Sequence, residues 1–538
     1  MNRYNVLITI LSALCSLIPA LLYSQSVDTA WVRTYNGPAN GNEGARQIRV
    51  DSLGNIYVAG ASLGISSWYD YTTIKYNPNG DTLWLRKYNG TANSDDFVQA
   101  MALDNQSNVY VTGYSTSPGS SQNYATVKYN SAGIEQWVRR YDGPGPYADQ
   151  AYAIAVDNQD NVYITGASSG LTSSDCVTIK YNANGDTLWI RSYNGPTNQE
   201  DVGNAIAIDN QGNVYVAGYT QGIYMRDYLL IKYNANGDTA WVRTYNNPQQ
   251  NSDDIEQTLV LDNQGNSYIS GFSSGANDAD IVTIKYNPSG QEQWLKSYDG
   301  PGHTDDVPIK MIMDAQNNFY IIAVSYDSTG FEDYLTLKYN ASGDTQWTRR
   351  YTTAEDADDE PRDVTLDNQN NVYVTGESDS SQTAMDILTV TYDSLGTLKW
   401  ISRYTSSGLH EHIGEGIAVD RQGYVYVTGF YYNPPNYSDF VTIKYTQLSG
   451  IEEERSTLTA KRNTLEVFPN PAKTYFTVRL PKTADRSEIK IFDVIGNIVK
   501  SEELKGKNNR ISLDGIKNGV YFVQVGDEMV KEKLVVTR

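Results

Sequence analysis

The sequence predicts an all-β chain, an eight-bladed β-propeller followed by a small Ig-like antiparallel β-sandwich. Three observations predict it. Trp31, Trp84, Trp137, Trp189, Trp241, Trp294, Trp347 and Trp400 recur at steps of 52 or 53 residues, each with a tyrosine four positions later. A period near fifty residues is the mark of propeller blades. Each unit also breaks into four short β-rich runs bounded by turn residues. After Tyr445 the period stops and the texture changes.

The third copy shows the unit: Ala151–Asp157, Asn161–Gly166, Asp175–Tyr181 and Trp189–Tyr193. Asp157-Asn158-Gln159-Asp160-Asn161 joins the first two runs, and Asn182-Ala183-Asn184-Gly185-Asp186 joins the last two. Both segments are rich in residues that tolerate positive φ, so both read as tight hairpins. The other two connections are longer and more varied. Strand alternation puts them together on one rim, where binding residues on a rigid scaffold usually sit.

The ends of the array predict its closure. Trp31–Tyr35 is a fourth strand without three before it, and the last unit ends at Asp439–Tyr445 without a tryptophan strand after it. One strand from the start therefore completes three at the end, leaving no exposed sheet edge. Trp and Tyr at i and i+4 of a strand share a face and are expected to pack between blades. Asp51, Asp104, Asp157, Asp209, Asp262, Asp314, Asp367 and Asp420 end the first strands, where a carboxylate can accept turn amides. Asp70, Asp175, Asp227, Asp280, Asp333, Asp386 and Asp439 open the third strands, with Asn123 in the second unit, and are likewise read as structural.

Composition fits an exported protein. Arg3, the apolar run Val6–Leu22 and Tyr23-Ser24-Gln25 read as a signal peptide over residues 1–25. Leu14 before Cys15 makes a poor lipobox. Beyond the leader Cys176 is the only cysteine, so no intrachain disulfide can form. No transmembrane helix is expected in the mature chain. The net charge is −21; residues 463–538 hold 13 Lys/Arg against 10 Asp/Glu, which leaves −24 on the rest and argues against a nucleic-acid partner. The domains read as propeller 27–448, a polar linker 449–464 with Glu452-Glu453-Glu454, and a tail domain 465–538. Seven strands are expected in the tail: Leu465–Phe468, Tyr475–Leu480, Ile489–Val494, Asn497–Glu502, Arg510–Leu513, Gly519–Val525 and Glu528–Val536.

Two resemblances follow from these motifs. Asp-Asn-Gln-x-Asn-Val-Tyr-Val-Thr-Gly, as in Asp367–Gly376, and Asp-x-x-Thr-Ile-Lys-Tyr-Asn, as in Asp280–Asn287, resemble the bacterial (SBBP-type) β-propeller repeat over roughly residues 27–450. That family implies a propeller on an exported protein and brings no catalytic residues to carry over. Gly185–Trp189 also resembles the glycine-to-tryptophan spacing of quinoprotein dehydrogenase blades, in that spacing alone. Val467–Ala472, Ile489–Gly496, Gly519–Val523 and Lys533–Val536 resemble, in order, the C-terminal sorting domain of type IX secretion substrates. This resemblance implies recognition by the type IX secretion machinery and a secreted or cell-surface location, reached through the periplasm and across the outer membrane.

Candidate chemistry is sparse. There is no phosphate loop, HExxH or GxSxG, and only three histidines, His303, His410 and His412. His410-Glu411-His412 alternates along an extended segment, so its histidines point apart and it is read as a solvated loop. Eight residues before the aspartate ending each first strand stand Glu43, Asp96, Asp149, Asp201, Asp254, Asp306, Asp359 and His412. They are expected to ring the channel mouth as a binding site, with Ca2+ the one cofactor such crowded oxygens suggest. The competing reading is that each caps its own loop. Loop aromatics Trp68, Tyr69, Tyr114, Tyr147, Tyr224, Phe331, Tyr431, Tyr432 and Tyr437 form a second candidate surface. Together these features favour a non-enzymatic module that binds a glycan or a surface protein. A carbohydrate-active enzyme, glycosidase or polysaccharide lyase, using rim carboxylates is the alternative.

Overall fold

The computed structural model describes residues 27–536 apart from 120, 224, 248–251, 276–277, 328–329, 354–356, 381–382, 406–410, 434–436, 448–465, 469–471, 493–497 and 526–530. The signal-peptide and linker segments expected at 1–25 and 449–464 lie outside the described residues. The chain divides into two compact units, Met1–Leu448 and Ser449–Arg538. Within the first, 32 strands form eight four-stranded antiparallel sheets. Blades 1 to 7 begin their first strands at Glu43, Asp96, Gln150, Asp201, Asp254, Asp306 and Asp359. Blade 8 combines His412–Val419, Val425–Asn433 and Tyr437–Gln447 with the N-terminal strand Val27–Tyr35, in register Trp31 to Lys444 and Tyr35 to Phe440. The expected closure is therefore the observed one.

The apolar core lies between blades. Tyr57, Tyr71 and Trp84 of blade 1 pack with Val98, Met101, Val109, Val111 and Tyr129 of blade 2, and the cluster repeats around the ring. Second and third strands are covered on both faces, which is why Ile56–Ala59 reads Ile-Tyr-Val-Ala and is fully buried.

Neighbouring blades are also latched by hydrogen bonds. The Trp84 indole N–H and Lys75 Nζ both donate to Ser131 O in the third-to-fourth-strand hairpin of the next blade, at 3.2 and 2.9 Å. Arg86 Nε donates to Gly133 O in the same hairpin, at 2.5 Å. Gly133 sits at φ 77°, and a Cβ there would lie 2.7 Å from the Trp84 ring, so conformation and contact both require glycine. Blade 7 faces blade 8, whose third and fourth strands come from opposite chain ends and have no connecting hairpin. With no carbonyl to grip, the lysine and arginine positions of the latch become Thr391 and Ser402, while Trp400 packs against Tyr445 and Val27.

Each first strand carries a β-bulge at its fourth position: the register shifts between Ala45 and Gln47, Val98 and Ala100, Pro361 and Asp363, and Gly414 and Gly416. In seven blades the second strand accommodates it with glycine, with Ala323 at this place in blade 6; at Gly113 a Cβ would collide with the Phe97 carbonyl.

In the tail the seven expected strands are five: Glu466–Phe468, Tyr475–Phe492, Ile498–Ser512, Gly519–Val525 and Lys531–Val536. Two expected pairs run together into long strands whose mutual register breaks between Arg479 and Ala484 and between Asp485 and Glu488. Tyr475–Phe492 pairs with Glu466–Phe468 near its start and with Gly519–Val525 at its end, while Ile498–Ser512 pairs, among the described residues, with it alone. Phe476, Val478, Ile489, Ile491, Ile511, Val523 and Leu534 close over one core.

Candidate functional site

The eight residues expected at the channel mouth are buried. Glu43, Asp96, Asp149, Asp201, Asp254, Asp306, Asp359 and His412 are each at most 1% exposed. One carboxylate oxygen accepts the backbone N–H of the loop entering the same blade: Gly90 to Asp96 at 2.6 Å, Gly143 to Asp149 at 2.9 Å, Gly195 to Asp201 at 2.7 Å, Asn247 to Asp254 at 2.7 Å, Gly300 to Asp306 at 2.6 Å and Thr353 to Asp359 at 2.9 Å. A second-strand hydroxyl serves the other oxygen where Ser168 meets Asp149, Thr220 meets Asp201 and Ser378 meets Asp359. Ser62 does the same for Glu43 at 3.4 Å. Burial pushes these carboxyls up, Glu43 to about 7 and Asp96 and Asp359 to about 6. His412 replaces the acid in blade 8 and stacks on Tyr431 at 6.0 Å. The seven acids are each buried against the loop or second strand of their own blade, and His412 is buried beside Tyr431.

Nor do the eight form a calcium cage. Among the described residues, the one trio of acids able to bring an oxygen each within 4.8 Å is Asp278, Asp280 and Asp299, none of them of the eight. His303 pairs with Asp299 at 2.8 Å, and His410 lies outside the described residues.

An asymmetric site lies instead along blades 7, 8, 1 and 2, near the starts of their first strands. A cavity of about 300 Å3 is lined by Glu43, Arg46 and Tyr69 of blade 1, Phe97 of blade 2, and Glu415, Phe430 and Ser438 of blade 8. Tyr69 and Phe97 meet at 4.8 Å between ring centroids, and Phe97 meets Tyr114 at 5.5 Å, making a shelf of three rings. Arg46 Nη1 donates to Gln99 Oε1 at 2.9 Å. Burial raises the Glu415 carboxyl, against the pull of Arg46 and Arg362.

Arg362 extends the charged run into blade 7. Its Nη2 bridges Glu360 Oε2 at 2.9 Å and Glu377 Oε1 at 2.6 Å, two carboxylates directly opposed on paired strands. Burial, with Glu377 beside it, holds the Glu360 carboxyl above its ordinary range although Arg362 opposes the shift.

Arg46, Gln99, Arg362 and Glu415 are all bulge residues. A bulge takes its residue out of the ladder and re-aims it, so this position is free to differ from blade to blade. Across the eight units it reads Arg46, Gln99, Tyr152, Asn204, Gln257, Ile309, Arg362 and Glu415, with no shared residue type beyond two arginines and two glutamines. That register comparison was the available signal. Of the residues expected from sequence, only Glu43 and Tyr69 line the cavity, and Tyr114 supports it. Trp68 and Tyr147 are exposed on loops elsewhere, and Tyr224 lies outside the described residues.

Residues 86–119, 136–171, 191–224 and 346–381 match the β-propeller repeat family, and residues 466–537 match the secretion system C-terminal sorting domain. The chain is a β-propeller-repeat protein with a type IX sorting tail. The tail directs the propeller out of the cell, to the surface or the medium. Among curated relatives, an uncharacterised WD repeat-containing protein of Acanthamoeba polyphaga mimivirus is 30% identical over 23% of this chain, and Beta-agarase A of Zobellia galactanivorans is 35% identical over 14%. Those matches span only 10% and 15% of the relatives' own lengths. Among solved structures, Sqt1 from Chaetomium thermophilum aligns over 78% of this chain and all of its own at 9% identity and a TM-score of 0.50, a likeness of fold alone.

Proposed function

We propose that the propeller is a non-enzymatic binding module for an extracellular glycan, held in the cavity between blades 8, 1 and 2. The observation that carries this reading is the three-ring shelf of Tyr69, Phe97 and Tyr114 beside Arg46 and Glu415. Aromatic faces stack on the apolar faces of sugar rings, and a few convergent polar groups fix their hydroxyls. A glycan array followed by calorimetry on the full chain tests it. A carbohydrate ligand should bind the native protein and lose at least about tenfold in affinity on Phe97→Ala. Absence of any carbohydrate ligand, with capture of a defined surface protein by the same residues, would replace glycan with protein in this reading.

One observation favours the second reading, a carbohydrate-active enzyme. Glu360 and Glu377 form a carboxyl pair with unequal burial and a shared arginine, the kind of environment that separates an acid from a base. Cleavage of any polysaccharide by the purified chain, abolished by Glu360→Gln, would make catalysis the function.

A further inference from the structure

The hairpin-rim half of the channel holds a second polar feature. The seventh residue of the first strands reads Arg49, Ala102, Ala155, Ala207, Val260, Ile312, Thr365 and Ala418, so blade 1 alone carries a charge at this level. Arg49 borders a cavity of about 430 Å3 with Lys310 and with apolar residues that include Ile312, Leu366 and Val419.

The guanidinium has five N–H donors, and the hydrogen bond it makes to protein is from Nη1 to Ile48 O, at 2.7 Å. No carboxylate lies within 4 Å of it among the described residues. Asp363 is the acid that acts on Arg49 from a distance, and it is already committed. Its Oδ1 takes Lys310 Nζ and the Val364 N–H, and its Oδ2 takes the Ile417 N–H at 2.9 Å. Two cations thus face one carboxylate within a propeller, residues 27–448, whose net charge is −25. The half-buried Arg49 guanidinium keeps N–H donors beyond the one that meets Ile48 O, which suits the site to an anion that arrives with the ligand.

We propose that Arg49 and Lys310 form an anion site in the channel, selective for a carboxylate carried on a small apolar body. The guanidinium fork matches a carboxylate edge with two parallel N–H donors. The aliphatic walls of Ile312, Leu366 and Val419 would cover the rest of the ligand. This site is separate from the aromatic shelf, which lies toward the opposite ends of the first strands.

The test is calorimetry on the full chain with benzoate, acetate and sulfate at constant ionic strength. Benzoate should bind saturably, one per chain, and more tightly than acetate or sulfate. Arg49→Ala installs the residue that blades 2, 3, 4 and 8 carry at this register, so the fold should be retained. It should weaken benzoate at least tenfold. Arg49→Lys keeps the charge, loses the fork and should weaken benzoate severalfold, which preserves the test if the alanine variant unfolds. Tyr69→Ala should leave benzoate binding unchanged, so failure here is distinguishable from failure of the glycan reading. Equal benzoate binding by all variants, or none by the native chain, would overturn the site; sulfate binding tightest would overturn the carboxylate assignment.

Discussion

The two rims of the propeller carry acids at nearly the same multiplicity and hold them in different surroundings. On the hairpin rim, Asp157 accepts Gln159 N at 2.8 Å, Asn161 N at 2.9 Å, Asn161 Nδ2 at 2.8 Å and Tyr163 Oη at 2.9 Å. Burial alone would raise this carboxyl, but the four donors outweigh it and hold it below the ordinary value, as they do for Asp51. On the loop rim, Asp96 and Glu43 are more deeply buried with fewer donors, and burial wins. The turn aspartates of the hairpin rim are therefore committed to the fold in every blade. The loop rim anchors chains that differ from blade to blade, and the cavity with its aromatic shelf opens among them.

The largest break in this contrast should come from the hairpin rim. Gly133→Val forces a β-branched residue into positive φ and against Trp84, and should cost about 3 kcal/mol or more in chemical denaturation. Asp157→Ala should cost about 2 kcal/mol, since it strands the Tyr163 hydroxyl as well as the turn amides. A neutral Gly133→Val would show that the third-to-fourth-strand hairpin is not a latch, and a neutral Asp157→Ala would show that the turn aspartate does not hold its own hairpin.

The pH dependence sharpens the comparison because Asp51 and Asp157 on the hairpin rim respond with a sign opposite to that of the buried loop-rim acids. A carboxyl lowered by folding stabilises above its unfolded pKa and is lost as pH falls, which describes Asp51 and Asp157. A carboxyl raised by folding holds its proton more tightly in the native state, so stability falls as pH rises from about 4 through the folded value. Glu43 reaches about 7 and Asp96 and Asp359 about 6, so this loss should be complete above about pH 7. Thermal melts should show the propeller more stable at pH 5 than at pH 8 by about 1–2 kcal/mol, and Asp96→Asn should reduce the difference. A melting temperature that rises steadily from pH 5 to 8 would contradict the loop-rim assignment.

Much of this was legible in the chain. The tryptophan period and the unpaired Trp31–Tyr35 strand specify ring, blade number and closure, and the turn aspartates announce their hairpins through Tyr at i+6 in all eight units and Asn at i+4 in seven. Even the seam is written, since Thr391 and Ser402 stand where other units carry Lys and Arg. What was not legible depends on direction. Spacing alone does not say whether Asp96 turns toward the channel or back to the Gly90 amide, and only the fold shows that the loop amide is nearer. The bulge was hidden for the same reason: a period-two pattern interrupted once reads as weak alternation, so nothing in the spacing singles out Arg46, Arg362 and Glu415. In the tail, the polar, turn-rich stretches 481–487 and 503–509 read as breaks between strands, yet the two long strands run through them with shifts of register.

The smallest expected effect on stability is the most informative about function. Arg46 is exposed, stands outside the ladder at a bulge, and its one side-chain hydrogen bond is to Gln99. Arg46→Ala should change unfolding free energy by less than about 0.5 kcal/mol, because nothing in the blade depends on its side chain. The same change should weaken a ligand held beside Glu415, and the pair Arg46→Ala and Glu415→Ala should be non-additive in binding while additive in stability. Should Arg46→Ala instead destabilise the propeller by 2 kcal/mol or so without altering binding, the bulge residues would belong with the hairpin rim as parts of the scaffold, and the division of the two rims between fold and function would fail.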